Sequence, residues 1–460
     1  MLAGANPSLT ERRSGVLAHL SSLPASHPDE PLIERVERFL DWCQLAGFRL
    51  WQVLPLNPVG PGKSPYSATS AFAGQRWSER PFGTEKSTEA EETGWSPPWL
   101  DDWALYAALK RQHKGSPWTS WDPELRRREP AALKSARRKL AAEIRQERAL
   151  QAEIHREAIQ IRRAAAERGI VWLGDLPFYV ALDSADVWTN RGLFKVDEEG
   201  QPAFVAGCPP DDYAEEGQRW NHPVFNWAAM QADQFRWWIE RLDRAFEWVD
   251  ALRVDHFRGY SAYWEIDADA PTAASGRWVQ APGQQLFDTL FDAQRSASRH
   301  SAPLIAEDLG VIDDEVESLR DRYGFAGMHV LQFGWGDLTS SHDPSNHRSH
   351  ALCCTGTHDN DTTLGWLRTL EPSARRALER QFQLDGEASL AAEAARQTLA
   401  SPAAWAVLPL QDLLGLGSEA RMNLPGSAEG QWGWRAAADS LTPELAEHWR
   451  KLNVSERRLP

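Results

Sequence analysis

Short apolar segments that run into polar or glycine-containing turns recur along this chain, with helix-like stretches between them. The segments span 48–54, 170–176, 248–255, 303–308, 328–333 and 351–355. The stretch 311–323 is typical of the intervening ones, with Asp313 and Asp314 as candidate N-terminal caps. Alternation of strand and helix is the pattern of a parallel sheet covered by helices. In a chain of 460 residues it predicts an α/β fold, a (β/α)8 TIM barrel with inserted, mainly helical subdomains.

Composition locates two of the insertions. Residues 75–98 are rich in Gly, Pro, Ser, Thr and Glu, which predicts a surface loop. Residues 123–168 are dense in Ala, Leu, Arg and Glu, which predicts a helical hairpin with a break near Pro130. Its arginines alternate with glutamates, so a solvated helix face is favoured over a basic helix that binds nucleic acid. A second helical region is expected at about 370–405.

Charge and composition exclude several classes of partner. The formal charge of −15, without a separate block of Lys and Arg, argues against binding to a phosphate backbone. No run approaches the roughly 20 apolar residues of a membrane helix. Residues 1–15 lack the apolar core of a signal peptide, and four cysteines without CxxC spacing fit a reducing compartment. We expect a cytoplasmic protein that is a monomer or a weak homo-oligomer, with no nucleic-acid or membrane partner.

The 23 tryptophans are the one unusual feature of the composition. They can simply fill a core. They also suit carbohydrate binding, because a flat indole covers the apolar face of a sugar ring while polar groups contact the hydroxyls.

Two of the predicted strands deliver carboxylates at their C-terminal ends, where barrel enzymes keep their active sites. In WVDALRVDHFRG the apolar alternation ends at Asp255, and Arg253 lies on the same strand face, where it would hold Asp255 ionised. A structural ion pair is the alternative. In PLIAEDLG the strand ends at Glu307 and Asp308, which point in opposite directions. One can therefore face the barrel mouth while the other holds a loop or caps a helix.

A third segment, LCCTGTHDNDTT, presents His358, Asp359, Asn360 and Asp361 after a short apolar strand. Zinc binding is disfavoured because no second histidine lies nearby at ligand spacing, and polar turn caps are the other alternative.

Together the segments place three acids at three strand ends of one sheet. Cleavage of a glycosidic bond with retention needs two carboxyls about 5–5.5 Å apart, a nucleophile and a proton donor with a raised pKa. A third acid can stabilise positive charge on the sugar ring.

The chain resembles the amylomaltase, or 4-α-glucanotransferase, family of glycoside hydrolases, which are relatives of the α-amylases. The resemblance runs from SGVLAHLSSLP at 14–24 to GQWGWR at 430–435. Between them lie WQVLPLNPVG, SPYSATSAFAG, GDLPFYVALDSADVW, DHFRGYSAYWE, APLIAEDLGVI, TGTHDNDTTLGW, PLQDLLGLG and RMNLPG.

The resemblance implies that Asp255 is the catalytic nucleophile, Glu307 the general acid/base and Asp359 the third acid. It also implies a set of substrate-binding side chains, namely Tyr66, Asp175, Trp220, Arg253, His256, Phe333, Asp337 and His358. It implies no metal ion and no organic cofactor. The implied activity is retaining transfer of an α-1,4-glucan segment from a maltooligosaccharide to glucose or another maltodextrin, with starch- or glycogen-derived glucans as further partners.

The same resemblance indicates a lid region at about 197–228, so we predict one catalytic barrel over residues 1–460 with insertions at about 75–168, 197–228 and 370–405. The family's lid usually carries aromatic side chains where this chain has Asp212 and Tyr213. We hypothesise that Asp212 admits water and raises the hydrolytic fraction. Two alternatives stay open: an α-1,4-glucan hydrolase on the same barrel, and a glucan-binding protein without catalysis.

Overall fold

The computed structural model of the protein describes residues 7–77, 94–210, 214–296, 303–427 and 430–459. The strands are β1 (Arg13–Leu17), β2 (Leu50–Gln52), β3 (Val171–Leu176), β4 (Phe204–Cys208), β5 (Gln218–Pro223), β6 (Ala251–Val254), β7 (Ala262–Asp267), β8 (Arg277–Gln280), β9 (Leu304–Ala306), β10 (Gly327–Val330), β11 (Ala351–Cys354) and β12 (Trp405–Pro409). The helices are α1 (Leu32–Ala46), α2 (Leu100–Gln112), α3 (Pro123–Arg126), α4 (Pro130–Lys139), α5 (Ala141–Glu167), α6 (Ala185–Thr189), α7 (Trp227–Ala232), α8 (Arg236–Trp248), α9 (Gly283–Ser296), α10 (Asp314–Arg322), α11 (Thr363–Thr369), α12 (Pro372–Phe382), α13 (Glu387–Ala400), α14 (Leu410–Leu413) and α15 (Pro443–Ser455).

Eight parallel strands form the main sheet, in the order β10-β11-β12-β1-β2-β3-β6-β9. The two ends of this sheet meet through a bridge between Ile305 and Ala326. The Ala306 N–H donates to the Ala326 carbonyl at 2.7 Å, and the Ala326 N–H donates to the Leu304 carbonyl at 3.3 Å. The sheet therefore closes on itself, and the predicted (β/α)8 barrel is confirmed.

Alternate residues of the barrel strands fill its interior with a continuous apolar cluster. Its members include Leu17, Leu50, Leu173, Ala251, Ile305, Met328, Leu352 and Val407. Successive strand side chains point to opposite faces, so the outward residues pack against the helices instead. The next inward positions toward the C-terminal ends of β3, β6 and β9 are polar: Asp175, Arg253, Asp255 and Glu307. The barrel geometry alone thus gathers these four side chains at one mouth.

The six predicted strands all correspond to barrel strands, and α10 lies inside the predicted helix, with the Asp313 side chain accepting from the Val316 N–H as its N-cap. The strands β1 and β12 were not predicted. The sequence of β1, RSGVL, begins with polar residues and contains a glycine, which weakens a strand signal. That glycine has a packing reason, because a Cβ at Gly15 would lie 2.3 Å from the Leu50 Cβ on the adjacent strand β2.

The insertions are only partly helical. Helices α3, α4 and α5 occupy the predicted hairpin, and the chain breaks immediately before Pro130. Helices α12 and α13 occupy the range 370–405. By contrast, the range 197–228 carries β4 and β5, which join β7 and β8 in an antiparallel sheet of order β5-β4-β7-β8. The sheet was missed because β4 pairs with β7, about 60 residues further along the chain.

Parts of two predicted segments, 78–93 of the surface loop and 211–213 of the lid, lie outside the described residues. The division of the chain into one barrel domain with three insertions stays a prediction. Within the described ranges, no helix combines the length and the apolarity needed to cross a lipid bilayer.

Candidate active site

An ion network joins β3 and β6 at the barrel mouth. The Arg253 guanidinium is 4% exposed and donates through one nitrogen to both Asp175 oxygens, at 2.9 and 2.8 Å. The same nitrogen donates to Asp255 Oδ1 at 2.9 Å. Asp175 and Arg253 are cross-strand neighbours, and Asp255 follows Arg253 by two residues. The predicted pairing of Arg253 with Asp255 on one strand face is therefore present, and Asp175 on the neighbouring strand binds the same guanidinium nitrogen.

Glu307 follows β9 in a different environment. Its Oε2 accepts from the backbone N–H of His256 at 2.7 Å, and its Oε1 accepts from the backbone N–H of Leu309 at 3.1 Å. Desolvation, aided by the negative charge of nearby Asp255, raises the pKa of Glu307 to about 8 against the opposing effect of Arg253. Because the first of these bonds comes from the residue after Asp255, the two carboxyls lie at the same part of the mouth. At neutral pH Glu307 is a protonated acid.

Asp308 points away from the mouth, as strand alternation requires. Its Oδ2 accepts from Arg320 of α10 at 2.6 Å and from Arg348 at 3.0 Å. Its Oδ1 accepts from the Met328 N–H of β10 at 2.7 Å. The predicted division between a mouth-facing and a structural carboxylate is thus observed, with Asp308 as the structural one.

The third acid lies after β11. Asp359 Oδ1 is 3.4 Å from His358 Nε2, and the Asn423 amide donates to it at 2.6 Å. Desolvation favours the neutral acid, but the interaction with His358 and the hydrogen bond from Asn423 outweigh it and lower the pKa of Asp359 to about 2. The side chain is 47% exposed, so an ionised carboxylate is presented to the mouth.

Tyr66 connects the ion network to the third acid. Its hydroxyl donates to Asp175 Oδ2 at 2.7 Å and lies 3.3 Å from His358 Nδ1. Its ring stacks on the His358 ring with centroids 4.6 Å apart. The Trp432 ring lies 5.9 Å from that of Tyr66 and 5.7 Å from that of His358. One aromatic wall therefore links side chains that follow β2 and β11.

Two further predicted contacts flank the carboxylates. His256 has φ of +49°, a left-handed conformation that is uncommon for a residue with a side chain. Its ring lies 5.0 Å from that of Trp220 on β5, and desolvation lowers its pKa to about 4, so the imidazole is neutral. Among the described residues its Nε2 is buried without a hydrogen-bond partner. A buried unsatisfied nitrogen beside Asp255 is a position at which a ligand hydroxyl can donate or accept a hydrogen bond, according to the imidazole tautomer.

Two of the predicted substrate contacts, Phe333 and Asp337, follow β10. Phe333 follows β10 with 37% of its surface exposed, and its ring packs on His342 with centroids 5.6 Å apart. The Asp337 carboxylate accepts from the N–H and the hydroxyl of Thr339, at 2.9 and 2.7 Å. Through these bonds the Asp337 side chain caps an exposed turn. A substrate contact for either residue stays a prediction.

Sequence reasoning missed Asn423 and Trp432, although both lie in quoted motifs, RMNLPG and GQWGWR. Trp432 adopts φ of +63°, and its N–H donates to the Met422 carbonyl. An unusual cluster of glycines around a tryptophan was the available signal. Over the residues that the structure describes, no group of three or more His, Cys, Asp or Glu could hold a metal ion.

Comparison with known proteins identifies the family. A profile described as 4-alpha-glucanotransferase matches residues 18–78 and 84–441. A 4-alpha-glucanotransferase from Thermus thermophilus is 39% identical over 501 residues, covering 97% of this chain and 99% of that protein. The chain belongs to the 4-alpha-glucanotransferase family. The predicted family and activity are thereby confirmed, and the hydrolase alternative is not favoured.

A second relative and a solved structure agree with this conclusion. A 4-alpha-glucanotransferase from Aquifex aeolicus (strain VF5) is 40% identical over 471 residues, covering 93% of this chain and 96% of that protein. The structure of the amylomaltase from Streptococcus agalactiae in complex with acarbose superimposes with a TM-score of 0.89 at 29% identity, covering 98% of this chain and all of that one. The similarity spans the barrel and its insertions together.

Proposed function

We propose that the enzyme transfers α-1,4-glucan segments with retention, with Asp255 as the nucleophile and Glu307 as the general acid/base. The observation that carries this proposal is the contrast in surroundings between the two carboxyls. Arg253 contacts Asp255, which favours an ionised nucleophile, whereas the pKa of Glu307 is raised to about 8, which favours a proton donor.

In the first step Asp255 attacks the anomeric carbon of the donor, and the bond to the leaving oxygen breaks. Glu307 gives its proton to that oxygen, so the released glucan leaves as a neutral alcohol. In the second step Glu307, now ionised, removes a proton from the acceptor hydroxyl, which displaces Asp255 from the anomeric carbon. Two inversions at one carbon give net retention, and Glu307 regains its proton.

The remaining predicted residues bind the sugar at the cleavage point. Asp359 is ionised and can accept hydrogen bonds from sugar hydroxyls, while its charge stabilises the positive ring of the transition state. Tyr66 is held by Asp175 and His358, so its ring is fixed as a stacking surface. We propose maltooligosaccharides as donors and glucose or another maltodextrin as acceptor.

Cytoplasmic location and a monomeric or weakly oligomeric state belong to the same proposal. The four cysteines support a reducing compartment, because they are thiols rather than disulfides and three of them are buried.

The decisive experiment compares two leaving groups. Asp255→Asn is expected to abolish reaction with both maltotriose and a maltosyl fluoride, since no nucleophile remains. Glu307→Gln is expected to block maltotriose but to retain the first step with the fluoride, which leaves without a proton. Glu317→Gln, on the exposed face of α10, is the matched control and should behave as the unmodified enzyme.

Labelled glucose in the same assay separates transfer from hydrolysis, because only transfer yields a labelled ladder of longer sugars. Equal loss with both donors in Glu307→Gln would contradict its role as the acid. Retained turnover of maltotriose in Asp255→Asn would contradict the nucleophile.

A further inference from the structure

Trp278 on β8 is a large aromatic side chain with 38% of its surface exposed. One face of its ring covers Arg258, whose guanidinium carbon lies 4.0 Å from the ring centroid. On the adjacent strand β7, Trp264 packs against it edge-to-face with centroids 5.2 Å apart. The indole is therefore fixed by two neighbours while part of it stays open to solvent.

Arg258 ties this indole to the loops that carry both proposed catalytic carboxyls. It lies three residues after Asp255 in the chain. Its guanidinium donates to the Val311 carbonyl at 2.8 Å and to the Asp313 carboxylate at 2.9 Å, in the loop that follows Glu307. Since that side chain is only 11% exposed, it forms a buried support between the two loops and the ring of Trp278.

The position of Trp278 around the mouth is defined by these contacts. Tyr66, His358 and Trp432 form the wall on one side of Asp255, and they connect to β2 and β11. Trp278 is attached instead through the loops after β6 and β9, on the side of Glu307. Val311 lies beside this support with 63% of its surface exposed, so the rim at this point is apolar.

We propose that Trp278 is a glucosyl-binding platform on the acceptor side, beyond the first acceptor sugar. This inference rests on the proposed function, because the leaving group and the acceptor both meet Glu307, and their side of the cleft is therefore the side of that residue. The open face of the indole covers the apolar face of a glucosyl unit. Val311, whose carbonyl Arg258 binds, follows Glu307 by four residues, so we place the ring outward from the reacting atoms, beyond the reach of a single glucose at Glu307.

The test varies the length of the acceptor at a fixed donor. Labelled glucose and labelled maltotetraose are compared in the full enzyme and in Trp278→Ala. The variant is expected to raise KM for maltotetraose about tenfold, the value of one good stacking contact, and to leave KM and kcat for glucose within about twofold. Trp278→Phe should recover most of the affinity for maltotetraose. Val454→Ala, on the exposed face of α15, is the control for loss of an exposed apolar side chain.

Two outcomes would overturn the proposal. An unchanged KM for maltotetraose in Trp278→Ala would show that the ring binds no acceptor sugar. An equal change for glucose and maltotetraose would show that Trp278 only supports Arg258 and the catalytic loops. If Trp278→Ala does not fold, as judged by thermal unfolding, the same two comparisons are made with Trp278→Phe and Trp278→Leu. Failure of the proposed function is seen separately, as retained activity of Asp255→Asn in the glucose assay.

Discussion

Two neighbouring strands of one barrel, β6 and β9, end in carboxyls with different surroundings. The inward position two residues before Asp255 is Arg253, whereas the one two residues before Glu307 is Ile305. After β6 the carboxylate is therefore ion-paired, and after β9 the carboxyl accepts hydrogen bonds from two backbone N–H groups. The arginine on β6 thus gives Asp255 a direct ion-pair partner, and the corresponding position on β9 gives Glu307 none.

Removal of Arg253 should have the largest effect on activity, because it takes away the ion pair that distinguishes Asp255 from Glu307. In Arg253→Met, Asp175 is left fully buried without its cation. We expect kcat for maltotriose to fall about a thousandfold, as for other preorganised charged groups, and the free energy of unfolding to fall by about 3–5 kcal/mol. Steady-state kinetics and urea unfolding measure the two effects.

Arg320→Met is the matched control, because Arg320 is also 4% exposed and also pairs with a buried aspartate. We expect it to lose comparable stability with a smaller loss of kcat. Equal losses of kcat in the two variants would mean that Arg253 acts only as a structural ion.

Alkaline pH should act on the other carboxyl by removing the proton of Glu307. The pKa of Glu307 is raised from 4.5 to about 8 by desolvation, with Asp255 as a second cause. The active, protonated form is present below about pH 8, so kcat/KM for maltotriose should fall about tenfold per pH unit above it. The same shift favours the folded state at low pH, and this contribution is lost as the pH rises through about 8.

The pH profile of Glu307→Gln with maltosyl fluoride tests the assignment of this alkaline limb. The limb should be absent for formation of the glycosyl-enzyme. Its persistence would assign the limb to another group.

Asp308 serves as a structural counterpart to Glu307, because it also follows β9 but faces away from the mouth. Asp308→Ala leaves the buried Arg320 without this partner and breaks the bond to the Met328 N–H. We expect the free energy of unfolding to fall by about 3 kcal/mol. Asp321→Ala removes the other aspartate bound to Arg320, which is 66% exposed, and should cost less than about 1 kcal/mol. Similar losses in urea unfolding would contradict the structural role of Asp308.

The smallest effect is expected at the third acid. Asn423→Ala removes a hydrogen bond that lowers the pKa of Asp359. The pKa of Asp359 should move up from about 2, and kcat for maltotriose should fall about tenfold, the value of a hydrogen bond to a charged group. The kinetics at pH 4 and pH 7 measure both effects, and the loss should be greater at pH 4. An unchanged profile would show that Asp359 is held by His358 alone.

Local patterns were sufficient to predict most of the barrel and the positions of its acids. Strand alternation gave the face shared by Arg253 and Asp255 and the opposite directions of Glu307 and Asp308. It could not give the bond from Tyr66 to Asp175 or that from Asn423 to Asp359, because these pairs are 109 and 64 residues apart. Such contacts depend on which strands become neighbours when the barrel closes.

The lid was the least predictable region. The strands β4 and β5 gain their hydrogen bonds from each other and from β7, so their sequence carries little of the signal for the sheet. The hypothesis about Asp212 concerns a residue outside those that the structure describes. Asp337 was assigned from resemblance, and its bonds to Thr339 show a local role that short polar turns often give to aspartate.

The closure of the barrel between Ile305 and Ala326 has a thermal consequence. Strand β9 leads to the proton donor, yet it is joined to the β10 side by one bridge of two backbone hydrogen bonds and by the Asp308 carboxylate. Such a narrow junction opens locally at a lower free energy than the rest of a sheet. On warming, glucan transfer should therefore decline several degrees before the helical circular dichroism signal, because opening between β9 and β10 moves Asp255 and Glu307 away from Asp359, which follows β11, while the surrounding fold persists.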